Sequence, residues 1–512
     1  MEVNNRDKII KASILGIIVF LALAARLPGV FWGVSLSSEQ EFIKYHPDEC
    51  NIIGIVREFQ TGKMCYGYPK GFPFQIAIAG YFSGNSDEAL IITGRILSLI
   101  YGLLTIVFVY LLAYEIFNNP EIALLSALFL SLAAHHSIES HFATADAGNA
   151  FWFLATGYFS YIYLKKKKNA WLVMSIISCG FAIAFKFSGI AVIPLVYVMF
   201  RNGKRWFHFF LVFFFIIVLF LAFTGGRTLF FSVAKFGYGF WVDNVKIIES
   251  PNRLIVPFVY FIQTIVGLGL PVFIFLLGGG ILLILRIYKN RSSRQRDVFI
   301  IVAAPAVLQL VLICSLSLPT IRHLLPAVPL FTIIASYGLV KTFENMKKKY
   351  GAILKLSTII IVIAYQLIFL SWVNYHYIFD TRVSASKWIL KNIPAGESMT
   401  TPRYTKMPML DDLYAIDDTY ESKYIILHSA FYARFTRNEA NPFTAYPPLS
   451  RVYHGREYNF IKVQSLFKGQ LNYELIKAFR IKPVTPEMMA LKHVLKNFPP
   501  FVGDVLIYRK KS

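Results

Sequence analysis

The stretch IIKASILGIIVFLALAARLPGV occupies residues 9–30 and decides the class of the protein. At about 1.5 Å per helical residue, it is long enough to cross roughly 30 Å of hydrocarbon. Basic residues precede it, as they do in a signal peptide, but the apolar part of a signal peptide is shorter, at about 7–15 residues. We therefore interpret residues 9–30 as a retained first membrane helix.

The composition of the whole chain also favours a membrane protein. Of 512 residues, 56% are hydrophobic and 16% are charged, whereas a soluble chain carries about 25% charged residues. The net charge of +23 would suit nucleic acid, but the basic residues form short clusters between apolar runs, as in cytoplasmic loops of membrane proteins. The clusters lie at 165–168, 201–205, 286–296 and 341–349. We expect membrane lipids around the chain and no nucleic-acid partner.

The apolar runs predict about eleven membrane spans. The run 254–286 is too long for one upright span and contains GLGLP at 267–271, so we interpret it as an interfacial piece plus one span. The count places every basic cluster on the side of the N-terminus, which predicts a cytoplasmic N-terminus. The other predicted spans are 9–30, 89–117, 121–134, 144–164, 171–184, 190–200, 206–224, 298–317, 321–340 and 352–373.

The sequence thus predicts an all-α polytopic membrane domain over residues 1–373, with a long outer loop at 31–88. Residues 374–512 differ in kind, because they are charged and contain no membrane-length run. Within them, 382–392 has the pattern of an amphipathic helix, and 424–428 and 504–508 have the pattern of buried strands. We expect a small extracytoplasmic α/β domain there.

Two adjacent acids in the first outer loop are the leading catalytic candidates. Asp48 and Glu49 follow His46 and Pro47, and the proline restricts the backbone before the pair. A carboxylate with a tunable pKa beside a dry cavity can act as a general base. The simpler alternative is an interfacial acidic pair that is solvated or bound to Arg57. We favour Asp48 over Glu49 as the base, with His46 in support.

A third acid, Asp146, lies in the stretch HFATADAG at 141–148. The predicted topology places it at the same membrane face as Asp48, which allows the two to converge. The alternative is that Asp146 only stabilises the start of a helix capped by Thr144.

Histidines near these acids raise the question of a metal site. His136 and His141 are five positions apart, a spacing that one helix presents poorly to a metal. We interpret the outer histidines as packed or solvent-facing and leave a divalent metal open.

Several basic residues are predicted at the outer face, where they can bind the phosphate of a lipid carrier. For Arg95 and Arg322, which lie near helix ends, the alternative is that they reach to the interface for their own hydration. The candidates are Lys70, Arg95, Lys186, Arg227 and Arg322.

The four cysteines carry little functional information. Cys179 and Cys314 lie in apolar runs and are interpreted as small core residues. Cys50 and Cys65 share the first outer loop, so a disulfide is open to them in an oxidising compartment if their Cα atoms approach within about 7 Å.

Seven short motifs occur in an order that resembles one group of enzymes. They are His46–Glu49, Tyr68–Lys70, Gly94–Ser98, His141–Asp146, Lys186–Gly189, Arg322–Pro326 and Asp380–Arg382. This order resembles the dolichyl-phosphate-mannose protein mannosyltransferase-like branch of the glycosyltransferase-C superfamily. That branch includes the protein O-mannosyltransferases and the lipid A aminoarabinose transferases.

The resemblance implies an integral membrane transferase for a hexosyl or pentosyl group. It would take the sugar from a polyprenyl-phosphate donor and transfer it, with inversion, to a hydroxyl of a protein, lipid or glycan acceptor at the outer leaflet. No organic cofactor is implied, and the family is mixed in its dependence on a divalent metal.

The resemblance also implies roles for particular residues. Asp48 matches the expected base, Glu49 its partner, and Asp146 the acid of the second outer loop. Lys70 matches a lysine that meets the donor phosphate in the aminoarabinose branch, although the Pro-Pro pattern around that lysine is absent here. The remaining predicted substrate-binding residues are His46, Arg95, His141, Lys186 and Arg322.

A polyprenyl-phosphate transporter or flippase without transferase activity is the alternative, because charges within membrane domains also line transport paths. Such a protein would carry inverted repeats and charges near the midplane. The charges of this chain gather at the outer face instead, which favours the transferase.

Overall fold

The computed structural model describes residues 5–34, 46–62, 69–186, 194, 197–198, 255–289, 297–314, 321–344, 346, 348–402, 405–432, 456–494 and 502–511. Several predictions lie outside these residues, namely most of the span 190–200, the span 206–224, Arg227 and Cys65. Whether Cys50 and Cys65 form a disulfide therefore stays open.

Eight helices make up the described part of the chain before residue 187. Where the sequence predicts one long outer loop, the structure has two helices, Pro47–Gln60 and Gly71–Ser83. In chain order the eight are α1 (Asn5–Val30), α2 (Pro47–Gln60), α3 (Gly71–Ser83), α4 (Asp87–Phe117), α5 (Pro120–Leu132), α6 (Ala134–Glu139), α7 (Asp146–Lys166) and α8 (Asn169–Phe185).

The turn between α4 and α5 illustrates how local sequence sets these boundaries. Asn118 ends α4 in the left-handed conformation, at φ 50°, which asparagine tolerates better than most residues. Asn119 then caps α5, because its side chain accepts a hydrogen bond from the Glu121 N–H at 2.8 Å. Pro120 occupies the first helical position, where its missing N–H costs nothing.

The second group of membrane helices follows residue 254. A π-helical turn, Phe299–Ala303, leads into α11, and a 3₁₀ turn, Ile321–Leu324, precedes α12. The span predicted at 321–340 therefore begins as a helix only at Val328. The helices are α9 (Ile255–Leu268), α10 (Leu270–Lys289), α11 (Ala304–Cys314), α12 (Val328–Glu344) and α13 (Lys348–Ile378).

The long apolar run after residue 254 is interrupted at Gly269. This glycine has φ 79°, a conformation that other residues adopt with strain, and it separates α9 from α10. The side-chain amide of Gln366 packs against it and donates a hydrogen bond to the Leu268 carbonyl. The run is thus two helices joined at a glycine, as the GLGLP sequence suggests.

Four helical stretches within the described residues are long and apolar enough to cross a membrane: Arg6–Val30, Asp87–Phe117, Leu270–Lys289 and Tyr350–Asn392. Shorter apolar helices pack among them, including α5 and α8. The predicted total of eleven spans is not tested by this set.

The tail contains a five-stranded sheet with the strand order β2-β1-β3-β5-β4. Strand β1 pairs in parallel with both β2 and β3, whereas β5 runs antiparallel to β3 and β4. All five residues of β3 are buried, which explains its continuous apolar sequence. The strands are β1 (Ser398–Thr400), β2 (Ala415–Asp417), β3 (Tyr424–His428), β4 (Tyr473–Phe479) and β5 (Val505–Lys510).

Helices cover this sheet, and one of them connects it to the membrane helices. Helix α14 (Thr381–Asn392) follows α13 almost directly and packs Ala385 and Ile389 into the core of the sheet. The other tail helices are α15 (Ser429–Tyr432), α16 (Arg456–Phe467) and α17 (Pro486–Met489).

The tail also docks on the membrane helices away from α14. The indole N–H of Trp372, in α13, donates to the Lys482 carbonyl at 2.9 Å. Tyr365, about two turns earlier in the same helix, donates to the Glu487 carboxylate at 2.6 Å. These contacts hold the tail against α13.

Candidate functional site

The acidic pair sits at the start of α2, which the local sequence positions. The His46 Nδ1 accepts a hydrogen bond from the Asp48 N–H at 3.1 Å, so His46 caps the helix. Burial lowers the pKa of His46 to about 4, which keeps its ring neutral and able to accept. Pro47 occupies the first turn, and the acids beside it are stabilised by the helix dipole. Consecutive helical residues point about 100° apart, so Asp48 and Glu49 face different surroundings.

Glu49 faces inward and is completely buried with Arg95. Its Oε1 accepts from Arg95 Nε and its Oε2 from Arg95 Nη2, both at 2.8 Å. The backbone N–H of Ala143 donates to Oε1 at 2.9 Å. Burial alone would raise the pKa of Glu49, but the charge and hydrogen bonds of Arg95 outweigh it and lower that pKa. Glu49 is therefore an ionised anchor between α2, α4 and the segment before α7.

Arg95 extends the same anchor to the end of α1. Its Nη1 donates to the carbonyl oxygens of Val30 at 3.0 Å and Trp32 at 2.6 Å. Because the guanidinium is fully buried, its place in the fold favours positioning of the acidic pair over direct contact with a substrate.

Asp48 lies on the more exposed side of α2 and pairs with Arg322. The side chains remain 20% and 32% exposed, respectively. Burial raises the pKa of Asp48, yet its polar surroundings, chiefly the charge and hydrogen bond of Arg322, together outweigh burial and lower the pKa overall. Asp48 is thus an ionised carboxylate that solvent and small groups can reach.

Arg322 is presented by the 3₁₀ turn before α12. The neighbouring His323 is held on two sides: Tyr260 bonds its Nδ1 at 3.1 Å, and the Gln309 amide donates to its carbonyl at 2.7 Å. These contacts fix the turn that carries the arginine.

Asp146 forms a second ion pair, with Lys186. Asp146 is the first residue of α7, and Lys186 caps the end of α8. The helix begins one residue later than a Thr144 cap would require, because the residue before it is Ala145 and no side chain caps it. Asp146 contributes to the electrostatic surroundings of Asp48, so the two acids share one cluster.

Glu139 is a fifth ionisable group in this cluster, and the sequence analysis did not single it out. It is 2% exposed at the end of α6, and its Oε1 lies 3.9 Å from His135 Nδ1. Burial, reinforced by the nearby Asp146, raises the pKa of Glu139 to about 8. A protonated Glu139 leaves two carboxylates facing two cations, so the cluster is balanced. Its position four residues after His135 in the HHSIESH stretch was the available signal.

Lys70 lies at the start of α3, beside the contact of that helix with α8. Its side chain is 6% exposed, and its Nζ lies 6.0 Å from the ring centre of Phe59. Burial lowers the pKa of Lys70, with Glu58 opposing the shift. The adjacent Gly71 packs against the backbone of Ala184, so Lys70 and Lys186 flank the same contact between α3 and α8.

His141 is completely buried. Its ring contacts Tyr377 edge-on, with centroids 5.1 Å apart, and Gly29 of α1 lies directly against it. A side chain at position 29 would collide with the imidazole, so the glycine is required for this approach. The burial of His46 and His141 favours supporting roles for both.

Arg26, which the sequence analysis did not single out, binds the chain where α5 ends and α6 begins. It is fully buried in α1, and its Nη1 donates to the Ser131 carbonyl at 3.0 Å, at the end of α5. Its Nη2 lies 3.0 Å from His136 Nδ1. An arginine at a helix C-terminus satisfies free carbonyl groups, so Arg26 marks the break between α5 and α6.

Other predicted partners are placed elsewhere. Arg57, the alternative partner of the acidic pair, binds Asp87 at 2.8 Å instead. Among the residues that the structure describes, no three metal-ligating side chains form a group that could hold an ion.

Comparisons with known proteins show similarity in part of the sequence and in the fold. A family model described as dolichyl-phosphate-mannose-protein mannosyltransferase matches residues 69–225. The match includes Lys70, Arg95 and Asp146 but not Asp48 or Arg322. No curated protein matches the chain in sequence.

Two solved structures share the fold over almost the whole chain. The archaeal oligosaccharyltransferase AglB from Archaeoglobus fulgidus, in complex with an inhibitory peptide and a dolichol phosphate, superposes with a TM-score of 0.56 at 12% identity, covering 98% of this chain and 89% of that one. ArnT from Cupriavidus metallidurans, bound to undecaprenyl phosphate, superposes with a TM-score of 0.50 at 13% identity, covering 99% and 98%.

The apolar helices and this fold make the chain a multi-pass membrane protein. The family model confirms the predicted resemblance to the protein mannosyltransferases over residues 69–225, and the chain shares its fold with AglB and ArnT over almost its whole length.

Proposed function

We propose that the protein is an integral membrane glycosyltransferase that moves one hexosyl or pentosyl group from a polyprenyl-phosphate donor to an acceptor hydroxyl. The observation that carries the proposal is Asp48, a reachable carboxylate that Arg322 keeps ionised. It lies beside a second carboxylate–cation pair, on a fold shared with two proteins whose structures contain dolichol phosphate or undecaprenyl phosphate.

In the proposed reaction Asp48 accepts the proton of the acceptor hydroxyl. The hydroxyl oxygen forms a bond to the anomeric carbon while the bond from that carbon to the phosphate oxygen breaks. A single displacement inverts the configuration at that carbon, and the electron pair leaves with the polyprenyl phosphate. The charge of the leaving group is already spread over phosphate oxygens, so the main demand on the protein is activation of the acceptor.

Cations near Asp48 suit the phosphate of such a donor. Arg322 and Lys186 both pair with carboxylates at the cluster, and Lys70 flanks the same contact as Lys186. A donor phosphate that shares Arg322 would weaken its hold on Asp48, which makes that carboxylate more basic when substrate is bound. No step is assigned to a divalent metal.

The residue roles follow from these surroundings. Asp48 is the proposed catalytic base, and Asp146 orients Lys186. Glu49, Arg95, His46 and His141 are proposed to position the base and the segment before α7.

We also propose the finer topology predicted from the sequence. About eleven spans would form the domain 1–373, with the catalytic loop at 31–88, a cytoplasmic N-terminus and the α/β tail 374–512 outside. In support, the site lies at one end of the helices. Helices α1, α5 and α8 end there, and α4, α7 and α12 begin there. Successive membrane helices that cross in alternating directions would place these ends on one face of the membrane. The opposite ends carry the pair of Lys165 and Glu115, beside a basic cluster.

The test supplies the purified protein with polyprenyl-phosphate mannose or polyprenyl-phosphate aminoarabinose and, as acceptors, membranes from cells lacking the chain. We expect free polyprenyl phosphate to be released only when acceptor is present, and not by Asp48→Asn. The matched control is Asp87→Asn, an exposed acid bound to Arg57, which should behave as the wild type.

Mass spectrometry of envelope glycans and proteins, with and without the chain, identifies the sugar and the acceptor. An unchanged envelope together with no release from either donor would overturn the proposal. Movement of intact donor across vesicles without its consumption would favour the flippase instead.

A further inference from the structure

The Asp380-Thr381-Arg382 motif connects the tail to the membrane helices through a buried carboxylate. Asp380 caps α14 by accepting from the Arg382 N–H at 2.8 Å, and its Oδ2 accepts from Arg382 Nη2 at 2.7 Å. The same Oδ2 accepts from the indole N–H of Trp32 at 2.9 Å. Asp380 and Arg382 are 3% and 0% exposed, so this is a dry junction.

The motif is also tied to the sheet of the tail. Thr381 donates to the Gly503 carbonyl, just before β5. The next residue, Asp504, accepts from the Ile481 N–H at 2.7 Å and from Lys492 at 2.9 Å. The position of Asp380 therefore depends on the tail being folded and in place.

Trp32 occupies the space between this junction and the acidic pair. Its ring is 2% exposed, lies under the guanidinium of Arg382 at 5.3 Å, and contacts Tyr377 and Phe142. Phe142 contacts the ring of His46 in turn, with centroids 4.4 Å apart. The tryptophan thus touches both the tail junction and the residues around the acidic pair.

The backbone of Trp32 completes the connection. Its carbonyl accepts from Arg95 Nη1 at 2.6 Å, and Arg95 holds Glu49 through two hydrogen bonds. Asp380 and Glu49 are therefore separated by Trp32 and Arg95 alone, in a buried chain of charge-assisted hydrogen bonds. Such bonds transmit position because each has a narrow geometry in a region without water.

We propose that Trp32 is a positioning residue that couples docking of the tail to the placement of Glu49, and so of the adjacent Asp48. The effect on catalysis rests on the proposed function, whereas the structural coupling does not. With the Trp32–Asp380 bond in place, the end of α1 is fixed and Arg95 holds Glu49 against Ala143. Without it, the end of α1 and the start of α2 loosen together.

The test compares Trp32→Phe with Trp372→Phe. Each substitution keeps an aromatic ring and removes one indole N–H that bonds the tail at 2.9 Å. The two bonds have different acceptors, because Trp32 donates to Asp380 and offers its own carbonyl to Arg95, whereas Trp372 donates to the Lys482 carbonyl. Trp372→Phe is therefore a matched control for docking alone.

Hydrogen–deuterium exchange is the first readout. The Ala143 N–H reports on Glu49 because it donates to that carboxylate, and the Asp48 N–H reports on the start of α2. We expect Trp32→Phe to speed exchange at both amides, and Trp372→Phe to speed exchange only around residues 481–489. Equal effects of the two variants at Ala143, or none from Trp32→Phe, would overturn the coupling.

Turnover is the second readout, with whichever of the two donors, polyprenyl-phosphate mannose or aminoarabinose, the wild type consumes. We expect Trp32→Phe to lower kcat about tenfold with little change in KM for the donor, the size of one hydrogen bond to a charged acceptor. Trp372→Phe should leave kcat within about twofold. Equal losses of kcat in both variants would show that Trp32 acts only in docking of the tail and not in the placement of Glu49.

Two further outcomes distinguish failure of the proposed function from failure of the Trp32 coupling. If the wild type consumes neither donor, the proposed function fails, and the exchange data still decide the coupling. If Trp32→Phe does not fold, Asp380→Asn replaces it, since it keeps the size of the side chain and weakens the acceptor of the same bond. Unchanged exchange at Ala143 in Asp380→Asn would then overturn the proposal.

Discussion

Asp48 and Glu49 are neighbours on one helical turn, yet each pairs with a different arginine in a different setting. Glu49 and Arg95 are fully buried, share two hydrogen bonds and engage three backbone groups. Asp48 and Arg322 share an ion pair in which both side chains keep some exposure. The first arrangement suits a permanent anchor, and the second suits a group that exchanges partners during a reaction. We therefore propose a structural role for Glu49 and a catalytic role for Asp48.

The largest expected effect comes from Asp48→Asn. Loss of a general base costs about 10²–10⁴ in rate, so we expect kcat to fall roughly a thousandfold. The amide keeps the size of the side chain and the cap at His46, so the thermal midpoint should change little. Donor consumption and thermal unfolding in detergent check both parts. Substantial transfer by this variant would show that another group accepts the proton.

Glu49→Gln should act on folding rather than chemistry. It leaves the Arg95 charge buried without its carboxylate, and breaking such a pair costs about 3–5 kcal/mol. We expect a clear loss of folded protein and a lower thermal midpoint, measured by fluorescence size-exclusion after heating. The matched variant Glu115→Gln breaks a partly exposed pair with Lys165 and should cost less than about 1 kcal/mol. Similar losses in both would contradict the role of Glu49 as an anchor.

Arg322→Gln should move the pH profile of transfer. Asp48 acts when it is deprotonated, so activity falls as pH falls through the pKa of Asp48 in the folded protein. Arg322 lowers that pKa, and its removal raises it. The acid limb of the kcat profile should therefore move to higher pH. Arg57→Gln, which breaks an ion pair outside the cluster, should leave the acid limb in place. An unmoved limb in Arg322→Gln would show that the limb does not report the protonation of Asp48.

The last expected effect concerns Glu139, the carboxyl buried at the end of α6. Its pKa is raised from 4.5 to about 8, mainly by burial. The folded protein keeps Glu139 protonated more readily than the unfolded chain does. The stability from this protonation is therefore fully present below about pH 4.5 and is lost as the pH rises through about 8. Glu139→Gln mimics the protonated form, so the thermal midpoint of the variant should gain on the wild type between about pH 4.5 and 8. A difference that does not vary with pH would show that Glu139 does not titrate in this range.

The sequence predicted the parts of the molecule that local pattern controls. The run 424–428 is continuous and apolar because both faces of β3 are covered, and the prediction matches the strand. Helix α2 was missed although its start carried the usual signals, with a proline in the first turn followed by two acids. Its surroundings of glycine, tyrosine and serine favoured a loop and obscured those signals.

The contacts that make the candidate site were beyond reach of the sequence. Asp48 and Arg322 are 274 positions apart, and no local pattern reports which of several outer cations faces which acid. The choice between Arg57 and Arg95 as partners depended on burial, since Arg57 remains part exposed with Asp87 while Arg95 is enclosed. The raised pKa of Glu139 likewise depends on the packing around α6.

The most direct test of the two roles measures transfer per folded molecule for Asp48→Asn and Glu49→Gln side by side. Folded protein is quantified by size exclusion, and released polyprenyl phosphate is quantified in the same samples. We expect Asp48→Asn to be abundant and nearly inactive, and the smaller folded fraction of Glu49→Gln to transfer sugar at least about a hundredfold faster per molecule. Equal rates per folded molecule, or a more active Asp48→Asn, would contradict the assignment of Asp48 as the base and Glu49 as its anchor.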